Sequence, residues 1–343
     1  MDISSMGRSG PRVAGGGMAG AALRRVGGGM AGVALRRVGS AILTLLVVVI
    51  VVFLLQQLVP GDPAVAVAGK DASAELLAQI RHQLGLDQPF FLQLVDYVWH
   101  AFTFDLGTSI QDSRPVTEML AEALPVSLSL AVVAMGFTLV IGVVLGTLAA
   151  LRPGSWLDRT LVGGSAVALA VPPFVIGLLL QNVFAVKLGW LPVIGYTAFA
   201  DNPVQWFTGL ILPGLTLASL SSAEVARQLR GNLIDTREQD FIRTLRAKGL
   251  TWPNVLFKHA FRNAAAPMLT VLGIQLGQVI GGAVIIEQVF GLPGLGQTGV
   301  TAILAKDYPV VRGVVLVCAV LVIALNLLVD LINVKLNPRT DLR

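Results

Sequence analysis

Residues 124–151 read "LPVSLSLAVVAMGFTLVIGVVLGTLAAL", a stretch with no Asp, Glu, Lys or Arg. As a helix it would rise about 42 Å, more than the roughly 30 Å of a bilayer's hydrocarbon core. In lipid a backbone must satisfy its own polar groups, and a helix of this length does so. Working outward, five further runs have the same character: 41–59, 161–186, 267–289, 310–334, and a weaker one at 207–223 that contains Pro213 and several hydroxyl residues. The fold expected is therefore an all-α polytopic membrane protein with six transmembrane helices. Composition agrees: 55% of residues are hydrophobic and 13% charged, where a soluble domain carries about 25% charged residues.

Orientation follows from Lys and Arg. With the N-terminus inside, segments 1–40, 152–160, 224–266 and 335–343 hold 19 of the 25 Lys and Arg residues, as the positive-inside rule requires. Both termini are then cytoplasmic, and the pI of about 9.7 reflects topology and an anionic inner leaflet. Nucleic acid is not implied, since no basic stripe is interleaved with aromatics. The organisation expected is a basic cytoplasmic tail (1–40) and a first span (41–59). An extracytoplasmic helical segment (60–123) precedes a five-helix core (124–336) with a cytoplasmic loop at 224–266, and 337–343 form the C-terminus.

The tail duplicates a segment, "GGGMAGAALRRV" and then "GGGMAGVALRRV". It reads as a flexible basic cytoplasmic tail whose Arg24, Arg25, Arg36 and Arg37 follow the positive-inside bias, with a lipid-headgroup anchor as the alternative. A cleaved signal peptide is the rival reading, from the small-residue pattern "AVAVAG", but the apolar run is long for a signal core. In segment 60–123, Asp71 is placed to cap a helix bearing Leu76, Leu77, Ile80 and Leu84, with Gly85 as its stop. A second helix is expected from Pro89 to Phe102. The segment carries nine acidic and three basic residues, so it is either a solvated face or a docking rim for a soluble partner.

Polar residues inside the spans should point inward. Gln181 and Asn182, Gln275 and Gln278, and Asn326 are either glue between helices or the lining of a solute path. Gln275 and Gln278, at i and i+3, are expected to share one helix face. Pro172 and Pro173 should kink the third span.

Several chemistries find no support. ATP hydrolysis would need a Gly-rich loop ending in Gly-Lys-Ser/Thr, and the only Gly-Lys pair, Gly69-Lys70, is followed by Asp71. "GLPGLG" at 291–296 follows an apolar span instead of a strand, and reads as a tight outer turn. His82, His100 and His259 match no metal spacing. The single cysteine, Cys318, excludes a disulfide framework. The interior carboxylates, Asp330 and Glu287, lie near opposite membrane surfaces. Neither a catalytic site nor a metal site is expected, nor any cofactor bound by this chain.

Residues 237–250, "REQDFIRTLRAKGL", interrupt this apolar background. Ile234, Phe241, Ile242 and Leu245 give an apolar face, and Arg237, Glu238, Asp240, Arg243, Arg246 and Lys248 a charged one, with Gly249 as stop. Thr251 is placed to cap a second helix carrying Val255, Leu256, Ala260 and Phe261. Such a helix either lies on the headgroups or fits a groove on a cytoplasmic partner.

"QDFIRTLRAKGL", "HAFRNAAAPMLTVLGIQLGQVIGGAVIIEQVFGLPGLG", "DYPVVRGVVLV" and "NLLVDLINVKLNPR" closely resemble the permease subunits of bacterial ABC importers of the dipeptide/oligopeptide/nickel family. "PGDP", "GLDQPF", "DLGTSI" and "RPV" upstream resemble its B-type member, so that the resemblance covers about residues 40–343. It implies a type I ABC importer fold in the bacterial cytoplasmic (inner) membrane. It also implies peptide import by alternating access, and the partners are a second homologous permease, cytoplasmic ATPase subunits that bind ATP and Mg, and an extracytoplasmic solute-binding protein. Residues 243–249 would be the family's coupling motif, with Arg243, Thr244 and Leu245 where the general importer pattern has Glu-Ala-Ala, and Gly249 kept. Asp240, Phe241, Arg243, Thr244, Leu245, Arg246, Lys248 and Gly249 would form the ATPase-coupling surface, with Phe241 and Leu245 as its apolar anchors. Gln275, Gln278, Gln181 and Asn182 remain the candidate path. Nickel chelates or another small solute are alternative cargoes, and an ion-coupled carrier acting alone is the rival mechanism. That carrier would need ionisable residues at mid-membrane and repeat symmetry, and the sequence has neither.

Overall fold

The computed structural model describes residues 39–336 apart from 56, 58–62, 70–71, 84, 104 and 252–253. The duplicated tail up to residue 38, Asp71 and the last seven residues lie outside them. The helices run α1 (Gly39–Leu55), α2 (Pro63–Ala68), α3 (Ala74–Gln83), α4 (Phe90–Thr103), α5 (Val116–Leu151), α6 (Trp156–Ala170) and α7 (Pro173–Leu180). A π-helical stretch, Gln181–Lys187, continues α7. There follow α8 (Pro203–Arg237), α9 (Asp240–Ala247), a π-helical turn Val255–Ala260 leading into α10 (Phe261–Phe290), α11 (Leu295–Ala305) and α12 (Tyr308–Leu336).

All six expected runs contain helix, and among the described residues four helices are uninterrupted and of membrane-crossing length and hydropathy: α5, α8, Thr270–Phe290 of α10 and Tyr308–Val329 of α12. The third expected span is instead a pair, Trp156–Ala168 and Pro173–Lys187, bent by 105°. Consecutive prolines cause the break. Each disfavours a helical conformation in the residue before it, and Val171 and Pro172 accordingly take extended ψ values of 125° and 135°. The first run is a shorter apolar helix among the described residues, Gly39–Leu55.

The fourth run departs most from expectation. A span was expected at 207–223, yet α8 continues through Pro213 and on to Arg237, 35 residues in all. Pro213 costs one backbone bond, and tertiary packing outweighs it: α8 lies along α5 with little between them. A Cβ on Gly146 would stand 2.7 Å from the backbone oxygen of Ala226, so only glycine permits this approach. Beyond Ala223 the helix is held by polar contacts. Arg230 pairs with the buried Asp158 of α6 through both Nε and Nη2, and Arg237 donates to the Ala150 carbonyl at 2.8 Å.

The apolar interior divides by level. One cluster joins α5, α8 and α10 through Leu130, Leu210, Leu217, Ile286 and Phe290. Another gathers Val225, Leu229 and Leu233 with Ile242, Val255 and Leu256 at the far end of α8. In the segment before α5, Gly85 ends α3 at φ 64°, and the cap seen on α3 comes from Ser73, whose Oγ accepts from the Leu76 N–H at 3.2 Å.

Candidate functional site

The charged segment 237–250 is not one amphipathic helix. Arg237 ends α8, the chain breaks at Glu238 and Gln239, and α9 begins at Asp240. Asp240 in the first turn and Arg246 in the last both suit the helix dipole. Thr244 donates its hydroxyl to the Asp240 carbonyl at 3.0 Å, and Arg243 pairs with Asp240 at 3.4 Å on an exposed surface. Gly249 ends the helix at φ 83°, a conformation costly for any residue with a Cβ. Thr251 caps by its backbone, not its side chain: its carbonyl accepts the Val255 N–H at 3.1 Å.

Packing divides α9 into two faces. Ile242 is 2% exposed, enclosed with Val225, Leu229, Leu233, Val255 and Leu256, and Phe241 and Leu245 lean half-buried on the same cluster. The two expected partner anchors thus first contact their own bundle. Outward stand Arg243, Thr244, Arg246, Ala247, Lys248 and Gly249, all exposed. The apolar face is turned onto the bundle, with Ile242 enclosed and Phe241 and Leu245 partly covered, and what α9 presents outward is a short, mainly cationic surface.

The structure separates the candidate path residues. Gln275 is 5% exposed and Gln278 is exposed, so the pair does not share a face. Positions i and i+3 are offset by about 60° around a helix, and here the offset straddles the edge of the core. The Gln275 Oε1 is buried without a hydrogen-bond partner. Gln181 donates Nε2 to the Val193 carbonyl at 2.8 Å, a bond to the loop that follows its own helix and not to another helix, while Asn182 beside it is exposed, as is Asn326.

A further polar site was not legible in the sequence. Glu287, in the last turn of α10, is 0% exposed. Its Oε1 accepts from Ser127 of α5 at 2.6 Å, and its Oε2 from the N–H groups of Gly296 and Gln297 at 2.7 and 3.1 Å. Ser127 Oγ in turn accepts the Leu295 N–H at 2.8 Å. The first amides of α11, which have no partner inside their own helix, are thus satisfied by a carboxylate and a hydroxyl from two other helices. The "GLPGLG" turn is shaped around this carboxylate: a Cβ on Gly294 would fall 2.4 Å from it. The only sequence signal was a lone carboxylate at the end of an apolar run, just before a glycine-rich turn. At the other end of α11, Ser109 donates to the buried Asp307 Oδ2 at 2.5 Å, and Gln111 Nε2 to the Ala305 carbonyl at 3.2 Å, tying the chain ahead of α5 to the α11–α12 turn.

The described residues thus form a bent bundle of apolar helices with a cationic helix packed on one cluster and a locked turn between α10 and α11. The chain belongs to the family described as binding-protein-dependent transport system inner membrane component, which residues 142–342 match. Residues 30–131 match the corresponding N-terminal membrane component. It is thus a multi-pass inner-membrane permease subunit. A putative peptide transport system permease protein of Brucella abortus is 44% identical over 300 residues, covering 88% of this chain and 96% of the relative. A probable peptide ABC transporter permease protein of Sinorhizobium fredii is 41% identical over 88% of this chain and 96% of its own. A glutathione transport system permease protein of Salmonella choleraesuis is 39% identical over 86% and 94%. Among solved structures, a chain of the MetNI methionine ABC transporter in an inward-facing conformation superposes with a TM-score of 0.55 at 21% identity, covering 65% of this chain and 99% of that one, a likeness of fold.

Proposed function

We propose that this chain is one of two membrane subunits of an importer that carries short peptides inward, driven by ATP hydrolysis in separate cytoplasmic subunits that bind ATP and Mg. The observation that carries the reading is the 44% identity to a relative named as a peptide transport permease, over 96% of that relative. Cargo reaches such a subunit from an extracytoplasmic binding protein, and the second permease completes the path. Residues 240–249 form the link to the ATPase: the surface from Arg243 to Gly249 enters the partner's cleft, while Ile242, Phe241 and Leu245 tie that surface to α8 and α10. ATPase closure is thereby transmitted to helices that cross the membrane.

Two measurements test this. Purification with co-expressed genomic neighbours, followed by mass spectrometry, should recover an ATPase and a second permease. The assembled complex in proteoliposomes should accumulate labelled dipeptide only with ATP on the α9 side; accumulation without any ATPase would restore the ion-coupled carrier, and accumulation of nickel chelates alone would reassign the cargo. Orientation is tested by cysteines at the exposed Ser73, Asp201 and Glu238. The first two should react with an impermeant thiol reagent in intact cells, and labelling at Glu238 would reverse the topology. Thr236 is unsuitable as a reporter because it is buried and bonded to the Asn232 carbonyl.

A further inference from the structure

Helix α4 has three faces, each with a different chemistry. The first meets the bundle: Ala101 is buried with Val49 of α1 and Leu316 of α12, joined by Tyr97 and Val98, and Phe53 of α1 lies 5.5 Å from the Tyr97 ring and 5.4 Å from Phe90. The second, about a third of a turn away, is apolar and uncovered: Phe91 is 70% exposed, Val95 50%, Trp99 67% and Phe102 43%. The third is polar, with Gln93, Asp96 and His100, and His100 Nδ1 lies 2.8 Å from the Asp96 carbonyl oxygen. A helix in water between soluble partners needs no such division. A helix lying along a membrane surface does, with one side against protein, one toward acyl chains and one toward water.

The bundle contact fixes the depth. Leu316 lies eight residues into α12 from Tyr308, about 12 Å along the axis, and within Tyr308–Val329, the part of α12 long and apolar enough to cross a membrane. The Ala101 side of α4 is therefore held below the membrane surface. Between its underside and α1 runs an apolar groove of about 470 Å³, lined by Ile50, Leu94, Val95, Val98, Trp99 and Phe102. One wall, Ile50, belongs to the shorter apolar helix α1, Gly39–Leu55, which packs with Leu316 of α12 through Val49, so an occupant of the groove lies at the depth of that contact. The polar face, which a soluble protein would meet first, points elsewhere.

We propose that α4 lies embedded in one leaflet and that the groove beneath it binds a phospholipid acyl chain. The segment expected as a solvated face or docking rim is, over α4, a lipid-facing element that braces α1 against α12.

The test uses Trp99, one of five tryptophans. The assembled complex is placed in vesicles of phosphatidylethanolamine and phosphatidylglycerol whose acyl chains are either plain or brominated near their middle. The Trp99 signal is the difference between the native complex and Trp99→Phe, which keeps an aromatic ring in the groove. Brominated chains should quench that signal by half or more, and aqueous acrylamide should barely change it. Quenching by acrylamide and not by bromine would show a solvated face, and quenching by neither would show a face covered by protein; either result overturns the proposal.

Discussion

Replacing Glu287 should release the turn between α10 and α11 while leaving the helices intact. Three donors converge on its carboxylate, from Ser127, Gly296 and Gln297, and hydrogen bonds to a charged group are each worth about 1.5–3 kcal/mol net. Bonds sharing one acceptor group are not additive, so Glu287→Met, which keeps volume but accepts no strong hydrogen bond, should cost about 3–5 kcal/mol of local stability. Glu287→Gln can still accept the two amides with its oxygen and offer its NH₂ to Ser127, whose hydroxyl oxygen has a second lone pair. Its loss should be about 1–2 kcal/mol, the charge-assisted part alone. Hydrogen exchange of peptides spanning 291–300, measured on the complex in nanodiscs, reads these energies directly, since about 1.4 kcal/mol is tenfold in an opening equilibrium. Exchange should accelerate roughly tenfold in Glu287→Gln and a hundredfold or more in Glu287→Met. Unchanged exchange in Glu287→Met would mean that the amides of Gly296 and Gln297 are protected by something other than this carboxylate. Gly294→Ala should reach the same end by steric means, its Cβ falling 2.4 Å from the carboxylate.

Arg230→Met should destabilise the complex by about 3 kcal/mol, the low end for breaking a buried pair, because the Arg230 side chain is 26% exposed; thermal inactivation in detergent should be partly rescued by adding Asp158→Asn. Gly249→Val should weaken ATPase retention, since no atom stands within 4 Å of the added Cβ and the cost of about 1–2 kcal/mol is wholly backbone strain at positive φ. Gly249→Asn, which tolerates that conformation better, should retain most of the ATPase on an affinity column. Gln275→Leu should raise the melting temperature by removing a buried unpartnered oxygen worth about 1–3 kcal/mol, whereas Gln278→Leu should leave stability unchanged and lower peptide uptake. Unchanged uptake in Gln278→Leu would remove it from the path.

The membrane spans were legible because excluding charge from about twenty residues has one dominant cause, and the break before α7 because two prolines leave little alternative. Other features depended on partners far along the chain. Residues 224–237 look like a polar loop, yet they extend α8 because Asp158 and the Ala150 carbonyl wait for Arg230 and Arg237. Gln275 and Gln278 were assigned one face from spacing alone, and spacing does not reveal where the edge of the core falls. Phe241 and Leu245 read as free anchors because the cluster that partly covers them is completed by Val225, Leu229 and Val255. Glu287 was invisible as a site: its hydroxyl partner lies 160 residues earlier, and no local pattern announces it. Helix α4 was expected as a helix, but its three-sided character needed the positions of α1 and α12.

If the outward surface of α9 is the mechanical link to an ATPase, the two must lie within cross-linking distance. With Cys318 replaced by Ala, a cysteine at the exposed Ala247 should be joined by a short bifunctional thiol reagent to a cysteine in the cleft of the co-purified ATPase, with a yield that changes when ATP is added. An intact, ATP-hydrolysing complex in which Ala247→Cys forms no such adduct and reacts freely with soluble thiol reagents would contradict the account.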